Sequence, residues 1–276
     1  MNGKREAASG KRSARRPLGL ACTLAIAAAV VPSTAAAQAD FTWTGRVAAG
    51  KTVEIKGVNG GITAMAASGN EVEVTARKRS RDDDPEDVKI EVIEHEGGVT
   101  VCAVYPTPRR ARRENRCEIG HHWSSSTDDT DVVVDFTVRI PAGLHLDAHT
   151  VNGDVEAMGL GGNVDAGTVN GGVEVTTTGW VEANTVNGSI RATMGRADWT
   201  GELEFQTVNG GITLQLPATL NTEVRAQTVN GDLASDYPLT VSGRWGPRHL
   251  KGTIGSGGRE LSLNTVNGGI KLRKST

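Results

Sequence analysis

Residues His149–Ala157 read HTVNGDVEA. The core of that stretch returns as GTVNGGVEV, NTVNGSIRA, QTVNGGITL, QTVNGDLAS and NTVNGGIKL, so Thr-Val-Asn-Gly is written six times. The aligned asparagines are Asn152, Asn170, Asn187, Asn209, Asn230 and Asn267, at steps of 18, 17, 22, 21 and 37 residues. A seventh, Asn59 in KGVNGGITA, fits the same frame upstream. A period near 20 residues marks a repeat architecture. The 37-residue step is about two periods, which predicts a degenerate coil around GTIGSGG, residues 252–258.

The flanking columns give the repeat its physical content. Six residues before Asn stand Leu146, Val164, Val181, Leu203, Val224 and Leu261, and four before stand small or apolar residues such as Ala148, Ala166 and Phe205. The interleaved positions are polar or small: Asp147, Asp165, Glu182 and Glu204 in one column, His149, Gly167, Asn184 and Gln206 in the next. After the corner Val155, Val173, Ile190, Ile212, Leu233 and Ile270 restart the alternation. Period two on both sides predicts two short half-buried strands per repeat. Asn-Gly between them turns the chain, since both residues tolerate positive φ. The other connection varies from TTTGW to TMGRADWTGE, as expected when insertions fall on one side of a stack.

Two folds use such a pattern. In a hairpin meander each Asn-Gly is a two-residue turn, pairing Thr168 with Val173. In a solenoid each strand pairs with its equivalent in the next coil. A hairpin turn needs no fixed residue just outside it, yet Thr-Val precedes Asn in all six copies. Identity at one corner is expected when identical side chains stack, as in cross-β ladders. The expectation is therefore an all-β, right-handed parallel β-solenoid of about ten coils, about 50 Å long at ~4.8 Å per coil, with Asn59, Asn152, Asn170, Asn187, Asn209, Asn230 and Asn267 as a structural corner ladder.

The first 39 residues read differently. Lys4, Arg5, Lys11, Arg12, Arg15 and Arg16 precede an apolar run from Leu18 to Val31, then STAAAQAD with small residues before Asp40. That is the order of a secretory signal peptide, residues 1–39, and the run is short for a membrane span; an uncleaved anchor is the alternative. Cleavage removes six of 30 basic and one of 32 acidic residues, leaving a formal −7. An acidic exported chain is not expected to bind nucleic acid, and no stable transmembrane span is expected after cleavage. Cys22 leaves with the signal. Cys102 and Cys117 remain and are expected to pair in an oxidising compartment, with free thiols or half of a metal site as the alternative.

Residues 40–276 are read as one body: irregular coils over 40–145, with inserted loops at 77–87 and 105–130, then regular coils over 146–276. A separate N-terminal β-sandwich is the alternative. The loop at 105–130 carries Arg109, Arg110, Arg112, Arg113 and Arg116, a candidate anion-binding set if the residues converge, because guanidinium forks match carboxylate and phosphate. His121-His122 is poorly spaced for one metal, since adjacent residues of an extended segment point opposite ways. No nucleophile elbow, phosphate loop, dinucleotide fingerprint or metalloprotease helix occurs. No catalytic residue, metal or cofactor is assigned.

Repeated TVNG[GD][VI] coils behind a signal peptide resemble the bacterial family of "putative adhesins", secreted β-strand-repeat proteins of unknown function, over most of residues 41–276. The segment VTVCAVYP with Cys102 and Cys117 is similar to proteobacterial-type members. The resemblance implies an exported β-solenoid in the periplasm, at the cell surface or outside the cell. The expected function is a non-enzymatic, adhesin-like module whose partner is an envelope polymer or surface protein. The alternatives are a structural or self-assembling envelope protein and, more remotely, a polysaccharide-active β-helix enzyme.

Overall fold

The apolar columns on either side of each Asn-Gly corner form two separate sheets that face one another across a single core. The computed structural model describes residues 38–120, 125–242 and 247–275. Residues 1–37, almost all of the expected signal peptide, lie outside them, as do His121, His122 and Trp245. The architecture is all-β; one 3-10 turn, Pro85–Asp87, is the sole helical element among the described residues.

Each repeat contributes one rung: an incoming strand, the corner, and an outgoing strand. The rung of Asn170 is Val164–Gly167 followed by Val173–Thr177. Its incoming strand pairs in parallel with His145–His149 and Val181–Asn184, and its outgoing strand with Val155–Leu160 and Ile190–Met194. Val173 therefore faces Val155 and Ile190, not Thr168, and the hairpin meander is excluded. Equivalent residues stack: Leu146, Val164 and Val181 are register partners, and the asparagine corners bridge in parallel. The inward columns are fully buried, with Phe205, Leu214 and Ile190 among the largest side chains of the core.

The chain does not fill the stack in sequence order. The incoming strand Glu202–Gln206 pairs with Arg259–Asn267, which then pairs with Thr222–Asn230. The last repeat thus sits between the rungs of Asn209 and Asn230. Residues 252–258 hold no coil: Arg248–Ile254 runs antiparallel to Thr222–Asn230 as a flanking strand. The long step reflects a detour to the edge and a return inward, rather than a hidden repeat. The opposite end follows the same rule. Gly98–Val104 and Val133–Ile140 lie outside the rung of Asn59 although they follow it in sequence. Beyond them Lys89–His95, Val72–Arg79 and Gln38–Gly45 pair antiparallel. Both sheets run through residues before and after 145, so no separate N-terminal sandwich exists. The inserted segment expected at 77–87 starts later, because Arg77, Lys78 and Arg79 complete the strand Val72–Arg79. Gln38 and Ala39 pair with Arg79 and Lys78, so a cut before Asp40 would shorten that edge strand by two residues.

Candidate binding surfaces at the corner and the bridged loop

Three of the four repeated residues have an internal task. The threonine is buried, and its Oγ1 donates to the corner glycine carbonyl of the neighbouring rung: Thr168 to Gly153 at 2.8 Å, Thr185 to Gly171 at 2.9 Å, Thr207 to Gly188 at 2.8 Å and Thr265 to Gly210 at 2.9 Å. The asparagines form a continuous amide chain. Asn152 Nδ2 donates to Asn59 Oδ1, Asn170 to Asn152, Asn187 to Asn170, Asn209 to Asn187, Asn267 to Asn209 and Asn230 to Asn267, each at 2.8 Å. Seven residues at ~4.8 Å per step give a ladder about 29 Å long.

The glycine is fixed by proximity more than by dihedral angle. Of the seven corner glycines only Gly60 and Gly153 have positive φ. At Gly188, Gly210 and Gly231 a Cβ would stand 1.8 Å from the glycine carbonyl oxygen of the adjacent rung. Positive φ, the reason inferred from sequence, therefore does not account for most of these positions; close backbone approach does.

Valine is left without such a task. Val169, Val186, Val229 and Val266 are each 38–39% exposed and stand among the few exposed large apolar side chains of the described residues. They line a ridge beside the exposed asparagine ladder, and every Thr-Val-Asn-Gly corner is uncharged. Val58, at the first rung, is buried instead.

At that end a loop replaces the corner. Between Val104 and Val133, where another Asn-Gly would stand, the described residues contain no strand. The Cys102–Cys117 disulfide, with Cα atoms 5.5 Å apart, holds the loop on the outer face of the incoming sheet. Cys117 is consequently no thiolate ligand for a metal. Beside the bridge Lys56 Nζ donates to the carbonyls of Glu118 (2.5 Å) and Gly120 (2.6 Å) and pairs with Glu54 at 2.9 Å. Glu54 also accepts from Gly120 N and Thr100 Oγ1. Buried Asn115 ties the rest together, donating to the carbonyls of Tyr105, Pro106 and Ser126 and accepting from Ser126 N. Tyr105 donates to Val132 O at 3.0 Å, and burial raises its phenol well above the ordinary value. Asp131 accepts the N–H groups of Arg81, Asp82 and Asp83, which hold its carboxyl below the usual range and join the two inserted segments.

The five arginines are exposed and do not converge. Arg113 and Arg116 share a recess of about 280 Å³ with Glu114 and Glu118, and Arg116 Nη2 pairs with Glu118 at 2.5 Å. Arg109 lines a different recess with Asp128 and Asp129. Arg110 and Arg112 line neither. A larger cleft, about 620 Å³, opens where the ladder meets the loop, lined by Asn59, Asn152, Arg79, Asp135, Asp154 and Glu156 among others. Sequence reading missed the Glu54–Lys56 staple and the Asn115 hub. Lys56 was the available signal, being a charge in the column that holds His149, Gly167 and Asn184 in the next rungs.

The model of the Toastrack DUF4097 family matches residues 135–273, half of the chain. The chain belongs to this family. The matched part of this Toastrack chain holds the rungs from Asn152 to Asn267, while the disulfide loop lies before it. Among solved structures, it is similar to a "putative cell adhesion protein" from Clostridium sporogenes ATCC 15579, at 9% identity and a TM-score of 0.41, over 87% of this chain and 100% of that one. It is also similar to a "putative adhesin" from Bacteroides fragilis NCTC 9343, at 13% identity and a TM-score of 0.31, over 88% and 99% of the two chains. No curated protein matches. No helix of the described residues is long and apolar enough to cross a membrane.

Proposed function

We propose that this chain is an exported, non-enzymatic, adhesin-like module of the cell envelope or cell surface, built as a right-handed β-solenoid behind a signal peptide at residues 1–39. The ridge of Val169, Val186, Val229 and Val266 beside the asparagine ladder is the surface that meets its partner, an envelope polymer or surface protein. The carrying observation is that threonine, asparagine and glycine each hold the stack together, whereas the repeated valine is turned to solvent. A regular apolar stripe with an amide rail suits an extended, repeating partner better than a compact ligand. The disulfide supports an oxidising compartment. Self-assembly by end-to-end stacking is disfavoured, because antiparallel strands cover the incoming sheet at both ends.

The test replaces those four valines with threonine, which keeps β-branching while removing the apolar stripe. Binding of the mature chain to isolated envelope polysaccharide and to intact cells is measured beside a second variant with Arg109, Arg110, Arg112, Arg113 and Arg116 changed to Ser. A loss of at least tenfold in the valine variant, with the arginine variant unchanged, is expected. The reverse pattern would move the site to the loop, and unaltered binding in both would end the proposal.

A further inference from the structure

The outer face of the incoming sheet carries an arrangement that neither the ridge nor the loop uses. Glu54, Asp147, Asp165 and Glu182 are register partners on four adjacent strands, so four carboxylates stand in one row across the sheet. Like charges directly opposite one another destabilise a sheet, and the row needs a cation nearby. At its Glu54 end Lys56 supplies one, 2.9 Å away. In the middle the cation position is occupied by an imidazole. His149, two residues after Asp147 and on the same face, places Nε2 2.9 Å from Asp147 Oδ1 and 3.6 Å from Asp165 Oδ1.

That reach across strands depends on a residue with no side chain. Gly167 is the register partner of His149, where the next rungs carry Asn184 and Gln206. A Cβ on Gly167 would stand 2.4 Å from His149 Nδ1 and 2.8 Å from Cε1. The ring therefore lies in the space that a side chain at 167 would fill, and Nε2 is delivered between two carboxylates. The donor atoms of Asp147, His149 and Asp165 all lie within 4.8 Å of one another. Metal–ligand bonds of about 2.0–2.2 Å in a tetrahedral site put neighbouring donors about 3.3 Å apart, between the two separations observed. The three side chains are 12–28% exposed, so an ion could enter from one side.

We propose that Asp147, His149 and Asp165 form a binding site for a divalent transition-metal cation of the zinc type, with Gly167 as the residue that positions the imidazole. One nitrogen and two carboxylate donors favour zinc, nickel or copper over magnesium and calcium, which take all-oxygen sites. Binding replaces the proton that Nε2 shares with Asp147, so one proton leaves as the metal enters.

The experiment uses the mature chain, without a histidine tag, stripped with chelator and titrated with zinc chloride by calorimetry at pH 7.5. One zinc per chain is expected, with a matching rise in thermal midpoint and no response to magnesium. His149→Gln and Asp165→Asn each lower zinc affinity at least tenfold. Gly167→Ala does the same while leaving all three ligands in place, an effect that loose attraction to an acidic row would not show. Thermal unfolding of each variant in chelator confirms that it is folded. Absence of saturable zinc binding to the parent chain up to 1 mM, or parental affinity in either folded His149→Gln or folded Gly167→Ala protein, overturns the proposal.

Discussion

Replacing Gly188 with alanine probes why the corner repeats. The added Cβ would lie 1.8 Å from Gly171 O, 2.4 Å from Gly171 C and 3.0 Å from Gly172 N. All three are backbone atoms of the adjacent rung and cannot swing aside. Restoring an ordinary carbon contact of about 3.5 Å moves the two rungs apart locally by on the order of 1.5 Å. The bonds at that seam are Gly171 N to Asn187 O (3.0 Å), Asn187 N to Val169 O (2.8 Å), Val173 N to Ser189 O (3.0 Å), Thr185 Oγ1 to Gly171 O (2.9 Å) and Asn187 Nδ2 to Asn170 Oδ1 (2.8 Å). Stretched by that amount, none remains within hydrogen-bonding range. At a net value of about 1 kcal/mol each, losing three to five of them costs about 3–5 kcal/mol. For a domain of this size, that lowers the thermal midpoint by roughly 10 °C. The comparison is Gly159→Ala. Gly159 has φ of 68° but no atom within 4 Å of the added Cβ, so the cost is the left-handed strain alone, about 1–2 kcal/mol. Calorimetric unfolding of both variants decides the matter. If Gly188→Ala is no more destabilised than Gly159→Ala, close rung-to-rung approach is not what requires glycine at the corner.

Two further outcomes follow from the loop. Lys56→Met leaves Glu54 buried without its cation and is expected to cost about 3–5 kcal/mol, and to expose the 109–116 segment to trypsin; adding Glu54→Gln to the same chain restores part of the loss in thermal unfolding. The carboxyl of Asp131 is held low by the amides of Arg81, Asp82 and Asp83, so its contribution is complete above the ordinary carboxylate value of about 3.9 and disappears as pH falls through the lower folded value. Hydrogen exchange at Arg81–Asp83 should therefore hold steady from pH 7 to 5 once corrected for intrinsic rates and increase below about pH 4, and Asp131→Asn should show the faster exchange at every pH.

Parallel pairing was legible because the repeat is stricter than a turn requires. Asn-Gly alone fits a hairpin, but a fixed threonine two residues earlier makes sense only if each copy meets its own equivalent, as Thr168 meets Gly153 and Thr185 meets Gly171. Alternation likewise told inward Val164 and Ala166 from outward Asp165. Spatial order was not legible. Arg259–Asn267 carries the same columns as every other rung, so nothing in its composition says that it lies inside Thr222–Asn230. The tail residues Lys271, Arg273 and Lys274 read as charges protecting a terminal strand. In fact that strand is interior, flanked by Ile212–Leu216 and Leu233–Ser235, and Arg273 pairs with Asp236 at 2.9 Å. The Arg-rich loop was visible as composition, but whether five guanidinium groups converge depends on the Asn115 and Lys56 contacts that shape the loop. Those contacts link residues up to 64 positions apart.

The out-of-order rungs bear on how an open stack avoids growing. A simple coil would end on a parallel strand whose unpaired N–H and C=O groups could receive another chain. Here the chain overshoots to the outermost rung, folds an antiparallel strand against its incoming edge, and returns to fill the position it skipped. It does so at Thr222–Asn230 with Arg248–Ile254, and again at Gly98–Val104 with Lys89–His95. The second cover strand, KIEVIEH, alternates charge with apolar residues along the exposed edge, a pattern that discourages further pairing. The return also places the C-terminal strand between two partners instead of one, so the chain's last residues are held from both sides. Covered ends and an uncovered flank together direct contact away from the axis of the stack and onto its corner, where the valines stand.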